Sequence, residues 1–403
     1  MKRKYLIIGS LVFSHFFAKA QVPQDTIIEK INRTEIELVY NHYMQDGNNS
    51  AVTGGIGTEK LTVYGPSLTM KKIVGNNSLA FNLGADIITS ASVDNIDSVM
   101  SSASRRDARS FFNATYEHQF EKQNLALFGG IGFSIESDYF SIGSKLGLVK
   151  EDKKKLRSYS IQFQLFNDDL RWGRLNPAYY RPVKLIYPAE LRYQEWYDGY
   201  RRNSCNLKLG FTQALNKRNI IGIFPEITYQ EGLLATPFHR IYFSDSTEVV
   251  EQLPRERWKG ALALRLNSFV GGRLILKNTI NSYADNFGIL AFSVENETAI
   301  KLRHDLTLLP NIRFFAQTGS TYFAPYGMHN SNETYYTSDF DLSELQTYNA
   351  GIGLKINPYK YLNKRMIFNG MLFRYNFLYR SNGLKAHIFS IVFQTEFQKK
   401  SHD

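Results

Sequence analysis

The feature that most constrains this chain is a two-residue alternation of apolar and polar side chains, recurring in segments of about ten residues. Three segments show it clearly. Over 79–88, Leu79, Phe81, Leu83, Ala85 and Ile87 alternate with Ala80, Asn82, Gly84, Asp86 and Ile88. Over 156–166, Tyr159, Ile161, Phe163 and Leu165 alternate with Ser158, Ser160, Gln162 and Gln164. Over 385–397, His387, Phe389, Ile391, Phe393, Thr395 and Phe397 alternate with Ala386, Ile388, Ser390, Val392, Gln394 and Glu396. A period of two sends successive side chains to opposite faces of a strand. About 9–11 residues is the length of a tilted strand that crosses a bilayer.

The same template predicts an all-β chain of about 16 strands (range about 14–18) closed into an antiparallel transmembrane barrel. The expected spans are 34–44, 59–72, 78–91, 110–121, 123–136, 138–149, 157–168, 203–214, 219–230, 256–268, 271–281, 289–300, 305–317, 346–357, 366–379 and 384–397. The connections supply a second argument. Every second one is short, such as Val74–Asn77, Glu121–Lys122 and Val270–Gly271, whereas 45–58, 92–109, 169–202, 231–255 and 318–345 are long and fall on one side. Membrane barrels sort their connections in this way, with short periplasmic turns and long extracellular loops. The competing reading is a soluble all-β protein, which has no reason to sort them.

The N-terminus points to export. Lys2, Arg3 and Lys4 precede an apolar stretch from Tyr5 to Phe17, and Ala18-Lys19-Ala20 forms an A-x-A cleavage signal. Residues 1–20 are expected to be a signal peptide, 21–33 a periplasmic lead-in, 34–397 the barrel and 398–403 a periplasmic tail. Residues 1–20 carry four positive charges and no negative one, so their removal takes the formal balance from +11 to +7. The remaining basic residues are scattered, apart from Lys153-Lys154-Lys155, so no nucleic-acid partner is expected. Past the N-terminus no apolar run approaches the roughly 18 residues of a spanning helix. The expected location is therefore the outer membrane of a Gram-negative bacterium, with outer-membrane lipid as the surrounding partner.

Chemistry is sparse. A single cysteine, Cys205, excludes a disulfide scaffold, a Cys-ligated cluster and covalent haem. Gly54-Gly55-Ile56-Gly57 lacks the Lys-Ser/Thr of a phosphate loop. Asp46-Gly47-Asn48-Asn49 and Asp339-Phe340-Asp341 are of a type that can touch calcium, but read more simply as turns. No metal, cofactor or catalytic residue is predicted. One enzyme reading stays open: His42 and His387 fall on strands that barrel closure makes neighbours, as a lipid-acting barrel hydrolase would need. Parity turns both toward lipid, where interfacial histidines are the simpler account.

The polar face is more informative. If the apolar set faces lipid, the interior receives Glu35, Glu37, Asp86 and Glu117 from early strands. Later strands supply Lys145, Lys208, Lys259, Arg265, Arg273, Lys277, Arg313, Lys355 and Arg374, with Glu226 and Glu295 between them. An acidic wall facing a basic one would set up a transverse field in a pore; the alternative is that these charges simply pair and fill a closed barrel. The 169–202 connection is long and rich in Arg and Tyr. Its Arg171, Arg174, Arg181 and Arg192 are expected to fold inward, meet the acidic wall and narrow the lumen. Residues 322–340 carry Tyr322, Phe323, Tyr326, Tyr335, Tyr336 and Phe340, suited either to binding or to packing at the rim.

Several segments resemble the bacterial outer-membrane family called domain of unknown function 3570. They are Tyr64-Gly65-Pro66-Ser67-Leu68, Ile88-Thr89-Ser90-Ala91-Ser92-Val93-Asp94 with the preceding Asp86-Ile87, and Glu136-Ser137-Asp138-Tyr139. Asn206–Leu215, Pro237–Phe243, Pro254–Trp258 and Thr337-Ser338-Asp339-Phe340 extend the match over most of the chain. The connection at 169–202 is longer than the family pattern. The resemblance implies an exported barrel with no established activity, and an envelope protein partner, of redox type, for it. Three function classes therefore stand at this point: a channel or transport pore with a charged lumen, a non-conducting barrel that holds an envelope partner, and, last, the barrel hydrolase.

Overall fold

A computed structural model describes residues 32–90, 106–136, 139–170, 201–236, 239–363 and 365–398. Sixteen long strands form its wall: β1 (Asn32–Asp46), β2 (Leu61–Val74), β3 (Asn77–Ser90), β4 (Arg106–Phe120), β5 (Leu125–Glu136), β6 (Tyr139–Glu151), β7 (Arg157–Asp169), β8 (Arg201–Ala214), β9 (Asn219–Gly232), β12 (Glu256–Val270), β13 (Leu274–Asp285), β14 (Leu290–Lys301), β15 (Leu306–Gln317), β16 (Leu345–Ile356), β18 (Met366–Arg380) and β19 (Lys385–Gln398). Three short strands complete the order: the hairpin β10 (Arg240–Tyr242) and β11 (Glu248–Val250), and β17 (Lys360–Tyr361) beside β18. Each long strand pairs antiparallel with its chain neighbours. The ring closes where β1 pairs with β19, from Arg33↔Gln398 to Asp46↔Lys385. Closure satisfies every edge, which a sheet in hydrocarbon requires because lipid offers backbone groups no hydrogen bonds.

The outer surface explains the alternation. Ile131 and Leu146 are each 68% exposed, and Leu38, Ile142, Ile227, Leu264, Ile312 and Ile352 share the same outward face. A soluble domain would bury such a band; a membrane barrel presents it to lipid. Aromatic residues mark both edges of the band. Tyr40, His42, Tyr64, Tyr229, Trp258 and Tyr375 lie toward one end, and Tyr116, Phe120, Tyr159, Phe211 and Phe397 toward the other. Such girdles suit the interface, where one edge of the ring is apolar and the other wet.

Loop lengths sort as expected. At the turn end the connections are 75–76, 121–124, 152–156, 215–218, 271–273, 302–305 and 357–365. All the long connections leave the opposite, loop end. Strand boundaries fall within four residues of their expected places. One displacement matters: Gly271 (φ 58°) and Gly272 (φ 75°) both take left-handed backbone, so residues 271–273 form the turn and β13 starts only at Leu274. The residues assigned to the signal peptide and the lead-in up to 31 lie outside the described residues.

Inside the wall, three cross-strand pairs use glycine in the same way. Gly84 faces Phe111 across β3–β4, Phe128 faces Gly147 across β5–β6, and Gly143 faces Phe166 across β6–β7. In each pair the ring lies over the glycine, so that a Cβ there would come within 2.3–2.8 Å of ring carbons. The glycine lets a large ring lie flat against the wall, and the ring shields the backbone that the glycine exposes.

Candidate functional site: the lumen and its loop-end cap

Parity places Glu35, Glu37, Asp86 and Glu117 on the inner face of β1, β3 and β4, opposite the exposed apolar set. Lys208, Arg265, Lys277, Arg313, Lys355 and Arg374 occupy the inner face of β8, β12, β13, β15, β16 and β18. Arg273 does not. It belongs to the Gly271–Arg273 turn, exposed at the turn end, because the two left-handed glycines spend those positions on reversing the chain. Arg171, Arg174, Arg181 and Arg192 lie outside the described residues.

Each wall also carries counter-charges, of which the sequence reading named only Glu226 and Glu295. Beside the acidic group stand Arg33, 2.8 Å from Glu35, Lys71, register partner of Glu35, and Arg109, register partner of Asp86. Within the basic group, Glu226 lies 3.4 Å from Lys208, and Glu297 lies 2.8 Å from Lys277 and 2.7 Å from Arg374. The segregation into opposed walls is thus weaker than expected. The missed residues were legible: applying the inner parity to every charged position, rather than to the sign that dominates each stretch, selects Arg33, Lys71, Arg109 and Glu297.

Along the lower part of the wall the inward charges stay accessible. Glu35, Lys208 and Lys277 retain side-chain exposures of 39%, 37% and 45% although they point inward. Toward the loop end the inner face becomes dry. Arg257, 6% exposed, donates through Nε to Asp285 at 2.9 Å and lies 4.4 Å above the Phe287 ring, while Asp285 is fully buried and also accepts from Tyr283. Arg202 pairs with Asp168 at 2.6 Å, and Tyr139 donates to the same carboxylate.

The change comes from a cap built by four connections, 47–60, 233–255, 286–289 and 318–344. Leu234, Leu253, Phe287, Ile289 and Leu342 form its core, with Tyr283 and Tyr322 packed against them. The 233–255 loop, folded into the β10–β11 hairpin, exchanges backbone hydrogen bonds with 318–344 at Gln252 and Tyr336. Ser244 N–H donates to the His329 carbonyl at 2.8 Å. The 47–60 loop docks on both: a Cβ at Gly54 would strike the Tyr242 ring at 2.7 Å, and one at Gly55 the Ser338 carbonyl at 2.8 Å. Arg380 on β18 ties the cap to the wall through Asp341 at 2.6 Å. The aromatic residues of 322–340 serve this packing: Tyr322 meets Phe287, Phe323 meets Phe340, Tyr326 meets Tyr242, and Tyr336 meets Phe243.

Two histidine groups complete the inventory. His42 and His387 sit outward on the neighbouring strands β1 and β19, as expected, in diagonal positions: His42 stands opposite Phe389 and His387 opposite Met44. The Tyr40 hydroxyl lies 3.4 Å from His42 Nδ1, and the Tyr375 hydroxyl 2.9 Å from His387 Nδ1. The cap also gathers His239, Glu251 and Asp339, whose nitrogen and oxygen atoms lie within 4.8 Å of one another. Sequence reading met Asp339 in a turn of a type that can touch calcium and in the family-like segment Thr337-Ser338-Asp339-Phe340, without these partners. Its partners lie about ninety to a hundred positions away, and no local spacing could reveal them.

Closed antiparallel wall, outward apolar band, aromatic edges and polar inner face define a transmembrane β-barrel of the porin-like type. The chain belongs to the family described as "Protein of unknown function (DUF3570)", whose model matches residues 89–375. No curated protein matches it. Among solved structures it is similar to a bacterial polysaccharide outer membrane secretin (TM-score 0.47, 10% identity, covering 91% of this chain and 98% of that one). It is also similar to a BenF-like porin from Pseudomonas fluorescens (0.42, 9%, 91% and 99%) and to the outer membrane protein opdK from Pseudomonas aeruginosa (0.39, 8%, 90% and 99%). At these scores the likenesses carry no inference about what this chain binds or does.

Proposed function

We propose that this chain is a pore of the Gram-negative outer membrane, with its turn end in the periplasm and its capped loop end outside. The observation that carries the reading is the solvent exposure of inward charges on β1, β8 and β13. All three are paired, but a barrel filled by its own side chains would also bury the pairs, whereas a water-filled lumen leaves them hydrated. Sixteen strands enclose more space than their side chains can fill. The inner charges would then act on passing solutes, with Arg265, Arg313 and Lys355 on one stretch of wall, Glu37, Asp86 and Glu117 on another, and Lys145 two strands from Glu117. Catalysis forms no part of this reading. Planar-bilayer recording of refolded full-length protein tests it: discrete conductance steps are expected, and folded barrels that never conduct would sink the idea.

A second reading draws on the cap. A barrel wet from the turn end and dry at the loop end also suits a non-conducting scaffold that holds an envelope protein, of redox type, at its periplasmic mouth. Purification from native membranes separates the two, since a scaffold retains a stoichiometric partner and a simple pore emerges alone.

A further inference from the structure

We infer that His239, Glu251 and Asp339 form a binding site for a divalent cation of the zinc type, which ties the 233–255 loop to the 318–344 loop across the mouth of the barrel. The inference is independent of whether the barrel conducts.

The geometry of the three side chains is the first ground. His239 is 7% exposed and aims Nδ1 into the space between two carboxylates, 3.4 Å from Glu251 Oε1 and 3.9 Å from Asp339 Oδ2. Charge-assisted hydrogen bonds draw in to about 2.7–2.9 Å, so the imidazole stands back from both carboxylates. The 3.4 Å separation is that of two ligands on one zinc ion, and the 3.9 Å one exceeds it by a few tenths of an ångström, which Asp339 would close on binding. With metal–ligand distances of about 2.0–2.2 Å, the edges of a tetrahedron are about 3.3–3.6 Å.

How the carboxylates are held is the second ground. Glu251 accepts from Thr236 N–H through Oε2 at 2.5 Å, and Thr337 Oγ1 donates to Oε1 at 2.5 Å. Asp339 accepts from Asp341 N–H through Oδ1 at 2.9 Å, which leaves Oδ2 directed at the imidazole. Thr337 is itself fixed, since its Oγ1 also accepts from Asp339 N–H at 3.1 Å. Each carboxylate therefore has one oxygen held by a backbone amide and the other turned toward His239, the outer support that orients metal ligands.

Charge is the third. Two carboxylates and one imidazole meet where Glu251 is 2% and Asp339 12% exposed. A dication placed among them would be attracted by both carboxylates in a poorly hydrated setting, where such attraction is strong. One nitrogen and two oxygen donors suit zinc, whereas calcium takes six to eight oxygens. Three protein ligands leave room for a water on the ion. The bound ion would join segments that approach from different strands, and so would fix the cap.

The test uses the full-length barrel refolded in detergent, stripped of metal, and titrated calorimetrically with zinc alone. One zinc per chain is expected, together with slower proteolysis of the cap loops. Asp339→Asn keeps an acceptor for Asp341 N–H and keeps every histidine of the chain, yet removes one charged ligand. Its affinity should fall by roughly 100-fold, and Thr337→Val should cost about tenfold through lost support. Should either variant fail to fold, judged by heat-modifiable gel mobility, His239→Gln supplies the same comparison. Absence of stoichiometric zinc binding by the wild-type barrel would overturn the inference. So would Asp339→Asn or His239→Gln binding as tightly as the wild type, because the ion would then sit elsewhere.

Discussion

Arg374 on β18 reaches Glu297 on β14 at 2.7 Å, although two further strands, β15 and β16, separate them in the wall. Adjacent strands are about 4.8 Å apart, so this ion pair runs as a chord inside the lumen rather than along the sheet. Lys277 holds the other carboxylate oxygen at 2.8 Å. Replacing Glu297 by Gln would leave two cations facing one another in a half-buried position. The expected cost is about 1–3 kcal/mol, read as a lower urea midpoint for unfolding of the barrel, and Lys277→Met in the same background should recover part of it.

Charge reversal in the lumen should move ion selectivity in opposite directions. Lys355→Glu or Arg265→Glu is expected to shift the reversal potential under a salt gradient toward cations, and Glu37→Lys toward anions. The shifts should shrink between 0.1 M and 1 M salt, as the screening length falls from about 10 Å to about 3 Å. Equal reversal potentials in all three variants at low salt would mean that these side chains do not line the conducting path.

Two glycines on the inner face should differ in their tolerance of a methyl group. A Cβ at Gly84 would meet the Phe111 ring at 2.5 Å, which a side chain can relieve by turning. A Cβ at Gly65 would fall 1.9 Å from the Ala85 carbonyl oxygen, and backbone cannot turn away. Gly84→Ala should therefore cost about 1–3 kcal/mol, and Gly65→Ala more, with reduced refolding yield. Comparable urea midpoints for the two would count against this assignment of close packing.

The cap should loosen in acid. His329 is buried with both ring nitrogens against acceptors, Nδ1 to the Glu333 carboxylate at 2.6 Å and Nε2 to the Thr337 carbonyl at 3.0 Å. Desolvation pushes the Glu333 carboxyl up, but hydrogen bonds from His329 and Asn330 N–H, with the charge of the imidazole, outweigh it and hold the group below the usual carboxylate range. A carboxyl depressed on folding contributes stability above its unfolded pKa, and this is lost as pH falls through the folded value. Hydrogen exchange over 327–337 should therefore quicken as the pH drops below the ordinary carboxylate range. Glu333→Gln should be loose at neutral pH and respond little to acid.

The wall was legible because a membrane strand repeats one local rule for its whole length. Apolar residues at every second position, Leu79 to Ile87 or His387 to Phe397, must face lipid, and a slip of one residue would turn all of them inward. Strand number, loop sorting and the adjacency of His42 and His387 followed from that rule. The inner charges were partly legible: parity gives each one a face, but not a partner. Nothing local shows that Arg374 would cross the lumen to Glu297, or that Lys71 would stand opposite Glu35. Arg273 was misplaced because a strand was expected to begin at a residue that two left-handed glycines take for the turn.

By itself, then, the alternation determined the architecture, since period and face are properties of consecutive residues in contact with one solvent. The cap was decided by tertiary structure alone. His239, Glu251 and Asp339, like Phe287 and Leu342, come from loops with no periodicity, brought together by the ring of strands beneath them. The closed wall sets where each loop begins and ends, and only then do their apolar and charged side chains find one another above the lumen.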